Sequence, residues 1–165
     1  MEGTTRVSSG RGEFGALLTL LSHNTQKRGD LAGLPALLKL HRPHLVFLQE
    51  VNYAAPLAAV AASGGYQLFT SRLNRRIIAT LSSVAGTAAE EFSPGVAQVV
   101  TAGGLSFIHL HAPSGQNNDE FLQREALFAS LRPSIAARPI APLLVGDFNA
   151  FISQVDTNRL SLIHI

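Results

Sequence analysis

The 165-residue sequence has no cysteine and no tryptophan, only two tyrosines and one methionine, and no more than 15% charged residues. Without a thiol there can be no disulfide framework, no thiolate zinc site and no cysteine nucleophile. Any metal must therefore be held by oxygen or imidazole, which favours a hard cation. The shortage of tryptophan and tyrosine leaves Leu, Ala, Val, Ile and Phe to fill a core, and the shortage of charge leaves a sparsely charged surface. Thirteen basic against eleven acidic residues give a formal net charge of +2, with a pI of about 9.5. That balance weakly favours a polyanionic partner and falls far short of a dedicated nucleic-acid-binding tail. Long hydrophobic runs are also missing. Residues 45–48 and 54–62 are too short or too interrupted to span a bilayer, and residues 1–13 lack the apolar centre of a secretory leader. The expectation is an intracellular chain with no membrane partner.

What is present suits one globular domain: 46% of residues are hydrophobic, and the length is sufficient for a sizeable core. Residues 1–14, polar and rich in Gly and Ser, read as a flexible start. Residues 16–21 form an apolar run closed by Ser22, His23 and Asn24, as a buried strand delivering polar side chains at its end would. Leu31, Leu34, Leu37, Leu38 and Leu40 recur at helical spacing after Asp30, a residue suited to an N-cap, until Pro43 breaks the pattern. Residues 44–49 make a second apolar strand closed by Glu50, followed by an Ala-rich helix over 53–62. Segments 66–70, 76–82, 96–101 and 105–110 read as strands separated by Gly, Pro and Ser turns. Helical spacing returns over 118–131 and is expected to end at Pro133. Residues 142–145 form a last short strand running into Gly146-Asp147-Phe148-Asn149.

Apolar strands that repeatedly end in acidic or amide residues predict an α/β sandwich with a polar cluster at one rim. Each of these residues also has an ordinary explanation when taken singly. Asn24 could form a turn, Glu50 could be a solvated side chain, and Gly146 to Asn149 could be an Asx turn.

Their order along the chain is more specific. Leu20-Leu21-Ser22-His23-Asn24, Leu48-Gln49-Glu50-Val51 and Leu144-Val145-Gly146-Asp147-Phe148-Asn149 resemble three successive motif strands of the endonuclease/exonuclease/phosphatase (DNase-I-like) superfamily. Ile108 to Ser114 resembles a fourth, with His111 standing where that superfamily has a Tyr near the scissile phosphate. Residues 151–158 are similar to the continuation found in endonuclease domains of LINE-type retrotransposon polyproteins. The resemblance implies the first part of a two-sheet α/β sandwich. Its domain is expected over 15–159, truncated at its C-terminal side, with 160–165 a foreign tail.

The resemblance further implies Mg²⁺-dependent, or Mn²⁺-dependent, phosphodiester hydrolysis on DNA, without a small-molecule cofactor. Glu50 and Asn24 would be metal ligands, both offering the oxygen donors that suit Mg²⁺. Asp147 would orient or deprotonate the attacking water, and Asn149 would hold Asp147 and touch the phosphate. His111 would donate a hydrogen bond where the Tyr does. In an extended segment Asp147 and Asn149 would share one face, with Phe148 turned to the core. Lys27, Arg28, Arg75 and Arg76 are candidate phosphate contacts. The expected activity is that of a retroelement DNA-nicking endonuclease, nuclear when acting on DNA. An abasic-site endonuclease or another phosphatase of the superfamily is the enzymatic alternative. A truncated, non-catalytic fragment is the alternative of a different class.

Overall fold

The computed structural model describes residues 3–7, 17–26, 31–52, 54–73, 76–93 and 95–149. Two sheets are built from these segments. The first contains β1 (Gly3–Val7), β2 (Leu18–Asn24), β3 (Leu45–Gln49), β4 (Gln67–Leu73) and β5 (Arg76–Ser82), in the order β1-β2-β3-β5-β4. The second contains β6 (Ala88–Ser93), β7 (Ala97–Ala102), β8 (Leu105–His111) and β9 (Leu143–Asp147), in that order. β2 and β3 are parallel and joined through α1 (Gly33–His41), while β8 and β9 are parallel and joined through α3 (Asn118–Ala136). A third helix, α2 (Ala54–Gly64), leads into β4, and the remaining strand pairs are antiparallel.

Because strand side chains alternate between faces, the two sheets yield three apolar layers. Leu21, Val46, Leu48, Ala79 and Leu81 point outward from the first sheet and pack against Leu34 and Leu38 of α1 and Leu57 and Ala61 of α2. Ala97, Ile108 and Leu110 point outward from the second sheet onto Leu127 and Leu131 of α3. Between the sheets, Leu18, Leu20, Leu45, Phe47, Val100, Ala102 and Phe107 interlock, with the Phe47 and Phe107 rings 5.6 Å apart. Helices thus cover both outer faces of a two-sheet sandwich, as expected from the sequence.

Several local expectations are corrected. Gly3–Val7, within the segment read as a flexible start, pairs with β2 from Gly3↔Ser22 to Val7↔Leu18; its composition, GTTRV, has no apolar alternation to announce a strand. β6 was likewise missed, since no residue of its AAEEFS stretch is buried. Asp30 lies outside the described residues, and α1 begins at Gly33 with Ala32 in the N-cap position. Leu40 is 75% exposed while Leu38 is buried; two residues on, about 200° around the helix, Leu40 falls on the solvent side rather than on the apolar face. Pro133 does not terminate α3, which continues to Ala136. A proline lacks the N–H but keeps its carbonyl, and here that carbonyl accepts from Ala137 N–H at 2.9 Å. Residues 160–165 lie outside the described residues.

Candidate functional site

The inter-sheet layer changes character along the strands. On β8 the inward-facing series is Leu105, Phe107, His109, His111, on β3 it is Leu45, Phe47, Gln49, and on β2 it is Leu18, Leu20, then Ser22 and Asn24. One pole of the interior is apolar and the other polar. Because β2 and β3 run parallel, as do β8 and β9, all four strands deliver their C-terminal residues to the polar pole.

At that rim two carboxylates from different sheets meet. Asn24 Nδ2 donates to Glu50 Oε1 at 3.0 Å and to Asp147 Oδ2 at 2.7 Å, so a single amide bridges residues 26 and 123 positions away. Its own Oδ1 accepts from Gln26 N–H at 2.8 Å. His111 Nε2 stands 3.5 Å from Glu50 Oε1. One ligand atom each from Glu50, His111 and Asp147 lies within 4.8 Å of the others. The Glu50 and His111 side chains retain 20% and 10% exposure, leaving the cluster accessible from one side.

Asp147 is fixed at both oxygens: Oδ2 by Asn24, and Oδ1 by the backbone N–H of Asn149 at 2.9 Å. The sequence placed Asn149 on the same extended face as Asp147. The strand in fact ends at Asp147, and Asn149 adopts a left-handed conformation with φ 44°. Its side-chain amide therefore turns back to Ala112 O at 2.6 Å, and it holds Asp147 through the main chain. Phe148 does pack toward the α3 layer, as expected. Gly146, at φ 129°, is the register partner of Leu110, and a Cβ there would lie 1.9 Å from Leu110 O. Only glycine lets β9 approach β8 closely enough to set Asp147 opposite His111.

Behind the rim runs a buried hydrogen-bond chain that the sequence did not reveal. Gln49 Nε2 lies 2.8 Å from His109 Nε2, and since an amide NH₂ can only donate, that imidazole nitrogen accepts. His109 Nδ1 then carries the hydrogen and donates to Thr80 Oγ1 at 3.1 Å, and Thr80 donates to Gln98 Oε1 at 3.1 Å. Each of its three bonds crosses from one sheet to the other. Burial, reinforced by neighbouring His111, pushes the His109 imidazole down to about 3 from its usual 6.5, so it is neutral. The alternation of His109 with Ile108 and Leu110 was the available signal for an inward-facing polar residue.

Asn24, Glu50, His111, Asp147 and Asn149, the five core residues expected from the sequence, therefore converge. Lys27, Arg28 and Arg75 lie outside the described residues. Arg76 opens β5, whose antiparallel register with β3 (Leu48↔Ala79) puts its first residues at the same rim as Glu50. Sequence reasoning missed Arg124, whose guanidinium donates to Asn149 O at 2.8 Å and to Ser114 O at 3.4 Å, and Thr25, whose hydroxyl donates to Glu50 O at 2.7 Å.

The donor set suits a divalent cation. Two carboxylates supply the hard oxygen ligands that Mg²⁺ or Mn²⁺ prefers, while the Asn24 amide, expected as a ligand, instead commits its NH₂ to both carboxylates and its Oδ1 to the Gln26 N–H.

A two-sheet α/β sandwich with its carboxylates gathered at one rim defines the DNase-I-like class of fold. Solved structures with this arrangement include an AP endonuclease from Archaeoglobus fulgidus, which superposes with a TM-score of 0.64 at 18% identity over 84% of this chain and 60% of its own. A 3'-5' exonuclease (NExo) from Neisseria meningitidis gives 0.62 at 17% identity over 78% and 57%. TDP2 from D. rerio, complexed with a single strand DNA product, gives 0.57 at 20% identity over 82% and 62%. The chain thus spans less than two-thirds of each of these relatives. No curated protein sequence matches it. The sequence profile of the endonuclease/exonuclease/phosphatase family matches residues 21–163, and the chain belongs to that family, a superfamily of nucleases and phosphatases.

Proposed function

We propose that this chain carries the metal-binding part of a Mg²⁺- or Mn²⁺-dependent phosphodiesterase that hydrolyses DNA, acting as a nicking endonuclease of the retroelement type. The observation that carries the reading is the joining of Glu50 and Asp147 from opposite sheets through Asn24, with His111 alongside, in a member of this family. A cation held by Glu50 and its neighbours would neutralise the phosphate and the charge that develops on it. Asp147, with both oxygens directed by Asn24 and Asn149, is the residue placed to orient a water and take its proton. The water oxygen bonds to phosphorus, the bond from phosphorus to the departing deoxyribose oxygen breaks, and that oxygen gains a proton. His111 Nε2, 3.5 Å from Glu50 Oε1, would donate to a phosphate oxygen.

The finer reading, a retroelement enzyme rather than an abasic-site or 3'-end enzyme, rests on the likeness of residues 151–158 to LINE-type endonucleases. These residues lie outside the described structure. Lys27, Arg28, Arg75 and Arg76 are the proposed backbone contacts, and DNA as substrate implies action in the nucleus. The test is incubation of supercoiled plasmid with the chain and Mg²⁺ or Mn²⁺. Nicked circles with 3'-hydroxyl ends are expected, and EDTA should abolish them. Cleavage only at abasic sites would favour the cellular repair type. No cleavage with any cation, despite a folded chain, would leave a non-catalytic fragment.

A further inference from the structure

Both motif strands deliver their functional residue through a backbone conformation that L-amino acids avoid. Glu50 sits at φ 56° and Asn149 at φ 44°, both in the left-handed region, which Asn tolerates better than Glu. At each position the carbonyl is held by a side chain from outside the motifs. Thr25 Oγ1 shares its one hydrogen between Glu50 O at 2.7 Å and Gln49 O at 3.1 Å, and Thr25 N–H also donates to Gln49 O at 2.9 Å. The Thr25 side chain is buried, so these bonds work away from competing water. On the other sheet, Arg124 of α3 donates to Asn149 O at 2.8 Å and to Ser114 O at 3.4 Å, with its guanidinium 5.4 Å from the Phe121 ring centre. Gly115 makes room for it, since a Cβ there would lie 2.8 Å from Arg124 Nη1.

From these two matching arrangements we infer that Thr25 and Arg124 are positioning residues. By binding the carbonyls of Glu50 and Asn149, they hold both residues left-handed and so aim the Glu50 and Asp147 carboxylates at one cation. The inference rests on the metal-dependent reading above. It differs from ordinary loop packing because the bonds fall on the carbonyls of the two left-handed residues. Relaxation of Glu50 to an extended conformation would swing its carboxylate away from Asn24 and His111. Relaxation of Asn149 would withdraw the N–H that fixes Asp147 Oδ1.

The test uses the 165-residue chain and three variants, Thr25→Val, Thr25→Ser and Arg124→Met. Two readouts are taken: backbone chemical shifts and HN–Hα couplings at Glu50 and Asn149, which report the sign of φ, and Mn²⁺ affinity by electron paramagnetic resonance. Thr25→Val is expected to lose positive φ at Glu50 and to bind Mn²⁺ about 10-fold or more weakly, the usual effect of removing a group that orients a ligand. Thr25→Ser keeps the hydroxyl and should match the parent in both. Arg124→Met should show the same losses at Asn149, which keeps the question open to refutation if Thr25→Val does not fold. Parent-like φ and Mn²⁺ affinity in the folded Val and Met variants overturns the inference. A folded parent that binds no Mn²⁺ overturns the metal-dependent reading, while the sign of φ in the variants still decides the backbone clamp on its own.

Discussion

Replacing Gly146 by alanine tests the central geometric argument. At φ 129° an L-residue is strained, at roughly 1–3 kcal/mol. The added Cβ would also lie 1.9 Å from Leu110 O and about 3 Å from Leu110 C and N, all backbone atoms. No side chain can rotate away to relieve the contact, so β9 must shift from β8 at this rung. The loss of one or two ladder hydrogen bonds adds about 1 kcal/mol each. The sum, about 2–5 kcal/mol, is a large part of the ~5–15 kcal/mol stability of a typical domain. At about 2–4 °C per kcal/mol for a chain of this size, the melting temperature should fall by roughly 4–20 °C. Gly104→Ala is the control. It has a similar left-handed requirement at φ 76° but nothing within 4 Å of an added Cβ, so only strain of about 1–2 kcal/mol applies. Thermal unfolding followed by circular dichroism compares the two. If Gly146→Ala melts no lower than Gly104→Ala, the close approach of β9 to β8 is not what sets Asp147 in place, and the derivation of the site fails at its base.

Asn24→Ala removes the amide shared by Glu50 and Asp147 and should cost about 1.5–3 kcal/mol at neutral pH. Millimolar Mg²⁺ should restore part of it, and a melting curve unmoved by either change would refute the bridging role. Asp147→Asn should abolish the rise in melting temperature that divalent cations give the parent and lower any plasmid nicking by about 100-fold or more; nicking at the parental rate would remove Asp147 from the mechanism. His109 sets a pH dependence whose sign is fixed by its depressed value. Its folded state stays neutral down to about 3 while the unfolded imidazole protonates near 6.5, so its contribution is complete above 6.5 and is lost as pH falls toward 3. Chemical denaturation should show stability dropping by up to about 1.4 kcal/mol per pH unit below 6, and His109→Gln should flatten that slope; an unchanged slope in the variant would assign it to other groups.

Much of the architecture was written in local patterns. Runs such as Leu45–Gln49 and the alternation of Leu105–His111 mark strands because both faces are buried. Closing an apolar strand left each motif residue open to an ordinary reading; it was their order along the chain, resembling a known superfamily, that made them legible as a site. What stayed hidden depends on contacts distant in sequence. β1 and β6 are edge strands with little apolar content, stabilised by neighbours rather than by their own pattern. The left-handed turn at Glu50 could not be read from its residue type, whereas Asn149 closes the Asx turn that Gly146 to Asn149 also suggested, its N–H bonded to Asp147 Oδ1. Thr25 and Arg124 carry no distinguishing spacing, and their importance emerges only once the carbonyls they reach are known.

Asn24 and Glu50 belong to one sheet, His111 and Asp147 to the other, and Gln49, His109, Thr80 and Gln98 tie the two leaves together just beneath them. The gap between the carboxylates is therefore set not only by the turns that carry them but by how the two leaves stand to each other. Any motion that parts the leaves would open the jaws, and a cation held between the carboxylates would draw the leaves together. Binding strength and the mechanical stiffness of the protein interior would then be two measurements of one spring.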